Sequence, residues 1–174
     1  RDSVECERPT GFSYDNDASL FVQGDISFML DVVGQEMEHQ VGAYVDFARD
    51  GQCSSDILGR QCAHWSFFLD TDGSVMEGNK WQDLGDGLFQ SLRPEGGFSD
   101  LDLYLWGFIT PEEVRPFTLI EDWAIVSAPS EEFCQPFDTC TEGSSIAGCG
   151  PTEGVLVSGT KRTITIDDIV ECAG

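Results

Sequence analysis

At 174 residues, 40% apolar and 11% aromatic, the chain has enough buriable surface for a folded core and falls outside the disordered and fibrous classes. Thirty-two acidic residues stand against nine basic ones, a formal net charge of -23. Such a surface repels nucleic acid and anionic membranes, which sets nucleic-acid binding aside, and it favours divalent cations or cationic partners.

The length suits one domain over residues 1–174, of α+β class. Residues 1–24 hold Pro9, Gly11 and the polar run Tyr14-Asp15-Asn16-Asp17, an extended and turn-rich lead-in. Arg1-Asp2-Ser3 reads as the start of a processed fragment. From Asp25 onward, Ile26, Met29, Leu30, Val33, Met37, Val41, Tyr44 and Val45 recur at three- and four-residue steps. That spacing predicts a long helix with one buried stripe, ending near Arg49 because Asp50-Gly51 is a stop signal. Asp31 interrupts its apolar run, so nothing here reads as a membrane span.

The same helix carries Gln35, Glu36 and His39 as Q-E-x-x-H. One letter separates this from H-E-x-x-H, in which two histidines one turn apart hold zinc and the glutamate is the general base. The letter that differs is a metal ligand. As a bare pattern, E-x-x-H arises often by chance, and the plainer reading is a core helix with a polar outer face.

Residues 52–61 read as a loop, and residues 63–69 (AHWSFFL) as a buried strand carrying His64, the second of two histidines. Residues 70–87 are dense in Asp, Asn, Ser and Gly. Asp70, Asp72, Ser74 and Asn79 offer the closely spaced oxygens with which a tight loop wraps calcium. The EF-hand pattern is not met, since Val75 and Trp81 take its glycine and glutamate positions. The plainer reading is an acidic hairpin turn at Asp72-Gly73.

Residues 98–107 (FSDLDLYLWG) predict a short helix capped by Ser99, with Leu101, Leu105 and Trp106 inward. Thr110, Pro111 and Glu113 form a second helix start with a capping box. Residues 117–120 read as a strand, 128–154 as a cysteine-rich surface insertion, 155–166 as two short strands around Ser158-Gly159, and 167 onward as a terminal helix. Of seven cysteines, none forms C-x-x-C; Cys53 with Cys62 and Cys134 with Cys140 are spaced for local disulfides. These imply an oxidising, secreted location, and the odd count leaves one thiol over for a partner or for self-assembly.

Three stretches together, AHWSFFLDTDGSVMEGNKW, FSDLDLYLWGFITPEEVRPFTLI and SGTKRTITIDDIV, resemble segments of secreted bacterial proteins with a zincin-like, H-E-x-x-H-type metallopeptidase domain. The resemblance covers most of residues 24–169, apart from the cysteine-rich insertion. It implies one long central helix packed on a small mixed or antiparallel sheet, with short helices and disulfide-pinned loops. By position, Glu36 matches the general base and His39 the second zinc ligand, while Gln35 stands where the first ligand belongs. Asp102 is the first candidate for a third ligand, with Tyr104 as oxyanion stabiliser, and His64 is the second candidate. Read from the residues alone, Asp102 is equally a first-turn helix acid and His64 a core histidine beside Trp65.

An amide oxygen is a poor zinc donor, and losing one strong ligand of three costs on the order of 10³-fold in affinity. The expectation is therefore a secreted, non-catalytic binding or assembly module, stabilised by Ca2+ rather than Zn2+. The alternative is an active zinc hydrolase built on Glu36, on His39, and on Asp102 or His64.

Overall fold

The computed structural model describes residues 26–130, 133–134 and 145–173. The expected lead-in, residues 1–24, lies outside them, as does much of the insertion around Cys140. Helix α1 (Ile26–Glu38) opens the described chain, followed by the hairpin strands β1 (Phe47–Arg49) and β2 (Gln52–Ser54). Five further strands, β3 (Trp65–Asp70), β4 (Glu77–Gly85), β5 (Leu88–Leu92), β6 (Phe117–Ser127) and β7 (Leu156–Ile164), close into a barrel in the order β3-β4-β5-β7-β6. Helix α2 (Asp100–Leu105) lies between β5 and β6, and helix α3 (Ile166–Ala173) follows β7. The class is mixed α and β. The sheet is a closed barrel rather than an open layer under a long helix.

β3 is the strand most plainly written in the sequence. Trp65, Ser66, Phe67, Phe68 and Leu69 are all buried, so both faces of the strand are covered and alternation disappears. Phe67 and Phe68 meet edge to face, Phe68 stacks on Trp123 at 4.1 Å between ring centroids, and the Trp81 indole N–H donates to the Phe67 carbonyl at 3.0 Å. This aromatic wall is the centre of the hydrophobic core. β3 and β4 pair in parallel, β3 with β6 and the remaining pairs antiparallel.

The acidic stretch 70–87 contains not only a turn but the strand β4, whose outer half, from Gln82, is exposed and carries no alternating apolar face. The two-residue turn Asp86-Gly87 joins it to β5 with both residues at positive φ, 51° and 72°, which suits the right-handed twist of a tight hairpin. β7 is one strand, not two. Gly159 sits inside it because a Cβ there would lie 2.7 Å from Ile120 Cγ2 and 2.8 Å from the Glu121 carbonyl oxygen, beside the register shift in β6.

Helix α1 departs most from expectation. It ends at Glu38, about one turn after Gln35, and the chain curls round the Glu38 carbonyl, which accepts from Val41 N–H at 2.9 Å and Gly42 N–H at 2.8 Å. Leu30, Val33 and Met37 are 66%, 53% and 49% exposed, so these members of the apolar stripe do not face the core. The inward side instead carries Gly34, against Phe98, and the buried Glu38. The period ran on past Glu38 only because Val41, Tyr44 and Val45 continue it by chance in a non-helical segment.

The disulfides are also not the local ones. Cys53 on β2 bonds to Cys172 on α3 across 119 residues, and Cys134 bonds to Cys149; Cys62 is disulfide-bonded as well. α3 packs on β1, which brings Cys172 to the hairpin, and no count of residues between cysteines reports such a contact. The cysteine-rich stretch is not wholly superficial, since Ala147 and Cys149 belong to the core.

Candidate functional site

His39 is the first residue after α1. Its amide N–H still donates to the Gln35 carbonyl at 3.0 Å, and the His39 carbonyl accepts from the Tyr44 hydroxyl at 2.9 Å. His64 enters β3 from a tight turn in which Gln61 and Cys62 both take positive φ and Gly59 N–H donates to the His64 carbonyl at 2.8 Å. That turn swings the His64 ring against His39, edge to face, with centroids 4.7 Å apart. The two histidines of the sequence therefore do meet.

What holds His64 is Arg60. The His64 Nδ1–H donates to the Arg60 carbonyl at 3.0 Å, which assigns the tautomer, and Nε2 accepts from the Arg60 guanidinium Nη2 at 2.9 Å. Nη2 also donates to the Glu77 carboxylate, closing an ion pair. Burial, then the Arg60 charge, push the His64 pKa down to about 3; burial lowers that of His39 as well, against the charge of Glu36 and helped by Arg60. Both imidazoles are neutral near pH 7. Glu77 is pushed up by burial, with the Arg60 charge opposing, and its Oε2 is buried without a hydrogen-bond partner among the described residues.

Asp102 is completely buried and saturated. Its Oδ1 accepts from the Trp65 indole at 2.7 Å, and its Oδ2 accepts from the Ser74 hydroxyl at 2.7 Å and the Ser99 N–H at 2.6 Å. With the Asp102 N–H donating to Ser99 Oγ at 3.2 Å, this is a full capping box at the start of α2. Burial raises its pKa against those hydrogen bonds. Tyr104, half-buried, packs on the core; Gln35 is half-buried and Glu36 exposed.

A zinc ion needs three lone pairs at about 2.0–2.2 Å round one point. Here a guanidinium sits on the His64 lone pair, Asp102 is spent on Trp65, Ser74 and Ser99, and position 35 offers an amide. Among the described residues no three His, Cys, Asp or Glu side chains group to hold a metal. These residues do not fit zinc.

The proposed calcium oxygens go to different partners. Asp70 Oδ1 accepts from Asp72 N–H at 3.2 Å and Trp81 N–H at 3.4 Å; Asp72 pairs with Lys80 Nζ at 2.6 Å; Ser74 turns to Asp102; Asn79 is buried, its amide donating to the Thr152 carbonyl at 3.3 Å. Lys80 Nζ, which also reaches Glu95 at 3.1 Å, is the cation this acidic turn holds. A cleft of about 260 Å³ lies beside the turn, bordered by Asp70, Lys80, Trp81, Asp100, Arg115 and Phe117, away from both histidines.

Glu38 matches none of the sequence motifs, yet it is the buried carboxyl at the end of α1. It is fully buried, its Oε2 accepts from the Trp106 indole N–H, and its Oε1 has no partner among the described residues. Burial, then the charge of Asp102, raise its pKa to about 8. The signal for it is Gly42, four residues on, where the missing side chain leaves room for the Glu38 carboxyl group.

Comparison of the chain with protein-family models, with curated proteins and with solved structures gives no significant match to any of them.

Proposed function

We infer that this chain is a secreted, non-catalytic binding or assembly module on a zincin-like helix-and-strand framework whose metal site has been given over to structure. One observation carries the reading: both candidate partners of His39 are engaged within the protein, His64 by the Arg60 guanidinium and Asp102 by Trp65, Ser74 and Ser99. A hydrolase of this type needs a metal-bound water for Glu36 to deprotonate, and no such water can form where the ligands are occupied. Disulfides support an oxidising compartment, and no helix of the described residues is long and apolar enough to cross a membrane. The net charge of -23 selects cationic partners.

A second reading, a zinc hydrolase using Glu36, His39 and His64, is favoured by the ring contact at 4.7 Å. Metal analysis of the purified protein, together with cleavage of a generic unfolded protein substrate with and without chelator, separates the two. The module reading expects no stoichiometric zinc, no chelator-sensitive cleavage, and salt-sensitive binding to a basic polypeptide but not an acidic one. Stoichiometric zinc with chelator-sensitive cleavage would overturn it.

A further inference from the structure

We propose that the outer face of α1 is a docking surface for a basic amphipathic helix of a partner protein: Leu30, Val33 and Met37 receive its apolar stripe, and Asp31 and Glu36 receive the Lys or Arg side chains beside that stripe. The inference rests on the reading above, a module that binds cationic partners, and adds to it the surface and the shape of what docks there.

The apolar residues are exposed and grouped. Leu30, Val33, Met37, Phe98 and Phe108 make up five of the eight large hydrophobics that are exposed among the described residues. Leu30, Val33 and Met37 follow one another on α1 at steps of three and four, the spacing of a seam that packs against another helix. Phe98 extends the stripe sideways. Its ring lies on Gly34, one turn from Leu30, where a Cβ would come within 3.3 Å of Phe98 Cζ. At the end of α1 the Trp106 ring, hydrogen-bonded to Glu38, stacks on Phe108 with centroids 6.0 Å apart. Scattered single hydrophobics need no explanation, but a seam on one helix continued by aromatic rings marks an interaction surface.

Charge chooses the partner. Asp31 and Glu36 are exposed, and at about 100° per residue they fall on opposite sides of the line from Leu30 to Met37. Neither stretch that builds the surface, 30–37 or 98–108, contains a lysine or an arginine, and none occurs anywhere from Gly11 to Ala48. A second copy of the chain would bring a like-charged rim and another -23 against the same face, and an anionic membrane is repelled in the same way. A helix with Leu or Phe along one side and Lys or Arg beside them meets both requirements, the seam and the acidic rim.

The test titrates the full chain against a dye-labelled peptide of about 18 residues, with Leu along one helical face and Lys on the rest, read by fluorescence anisotropy. A peptide of the same composition in scrambled order is the comparison. Wild type should bind the amphipathic peptide at least about tenfold more tightly than the scrambled one. Leu30→Gln/Met37→Gln, at exposed positions and with helix propensity kept, should weaken that binding at least about tenfold. Leu84→Gln, on the exposed end of β4, should not weaken it. Asp31→Lys/Glu36→Lys should weaken binding and reduce its dependence on salt. Should the double glutamine variant lose the wild-type circular dichroism, Val33→Gln carries the same expectation and the same refutation. Wild type that binds both peptides equally, or a stripe variant that binds as wild type does, overturns this inference and leaves a module that reads charge alone. A dimer in sedimentation that the stripe variant dissolves assigns the face to a second copy and overturns it too. Wild type that binds neither peptide overturns the module reading along with it.

Discussion

The Trp106 indole N–H donates to the carboxyl group of Glu38, joining the last residue of α1 to the residue that caps α2. Only one oxygen of that carboxyl is served; the other is buried with no partner among the described residues, and the Asp102 charge lies close by. A protonated Glu38 suits this setting and an ionised one does not.

A pH dependence follows. The folded-state pKa of Glu38, about 8, lies above its ordinary 4.5, so the folded chain holds this proton more tightly than the unfolded one. Its contribution is fully present below pH 4.5 and is lost as pH rises through about 8. That interval is worth at most about 5 kcal/mol at about 1.36 kcal/mol per unit. His64 runs the other way: its folded pKa of about 3 lies below 6.5, so stability is lost as pH falls from 6.5 toward 3. The two oppose each other between 4.5 and 6.5; above 6.5 the His64 contribution no longer changes, while that of Glu38 goes on falling up to about 8. Thermal midpoints should fall across that upper window, and Glu38→Gln, an uncharged stand-in, should flatten the fall. A wild-type midpoint that holds steady or rises between pH 6.5 and 8 contradicts the assignment.

Asp102 should prove a structural residue of high value. Asp102→Ala strands the Trp65 indole, the Ser74 hydroxyl and the Ser99 N–H in a buried site, at a cost of roughly 3–5 kcal/mol. Chemical denaturation measures it. A loss below about 1 kcal/mol, the scale of a single ordinary hydrogen bond, would show the network to be slack.

These two residues mark the limit of what local sequence discloses. Ser99 and Thr110 were legible as caps because a capping box is a contact between residues three apart, and β3 was legible because a strand covered on both faces is an unbroken apolar run. β4 was not, since barrel closure rather than composition makes Gln82 to Gly85 a strand. The meeting of His39 with His64 could be guessed as a candidate pair, but the seat of the Arg60 guanidinium between His64 and Glu77 depends on the turn at Gln61-Cys62, whose positive φ no residue type there announces. The end of α1 was misplaced because periodicity counts apolar residues and does not ask which face is crowded.

The disulfide between Cys53 and Cys172 closes most of the described chain. Constraining 119 residues in the unfolded state is worth about 4–5 kcal/mol in the chain-entropy model. The double variant Cys53→Ala/Cys172→Ala, compared with wild type under non-reducing conditions, should lose stability on that scale. A variant as stable as wild type would mean that α3 holds to β1 by packing alone.

Calcium should leave the fold indifferent. Lys80 already neutralises the turn by pairing with Asp72 and Glu95, and Asp70, Ser74 and Asn79 are committed elsewhere. Millimolar Ca2+ should shift the thermal midpoint no more than Mg2+ at equal ionic strength, the shift being that of screening a charge of -23. A shift specific to Ca2+ and lost in Asp72→Asn would locate a calcium site at this turn after all.

Gly42 gives the sharpest check on the buried carboxyl. A Cβ at this position would lie 2.1 Å from Glu38 Oε1, so Gly42→Ala forces the carboxyl to move. A flexible glutamate in water would simply swing aside, but Glu38 is enclosed and held by Trp106, and moving it breaks that hydrogen bond. Gly42→Ala should therefore cost about 2 kcal/mol, in the range of overpacked cores. In Glu38→Ala the obstruction is gone, and the same glycine substitution should become nearly neutral, leaving a coupling energy of at least about 1 kcal/mol in the double-mutant cycle. Strictly additive losses would mean that the two residues do not touch, and that the carboxyl group lies somewhere other than in the fold of the chain at Gly42.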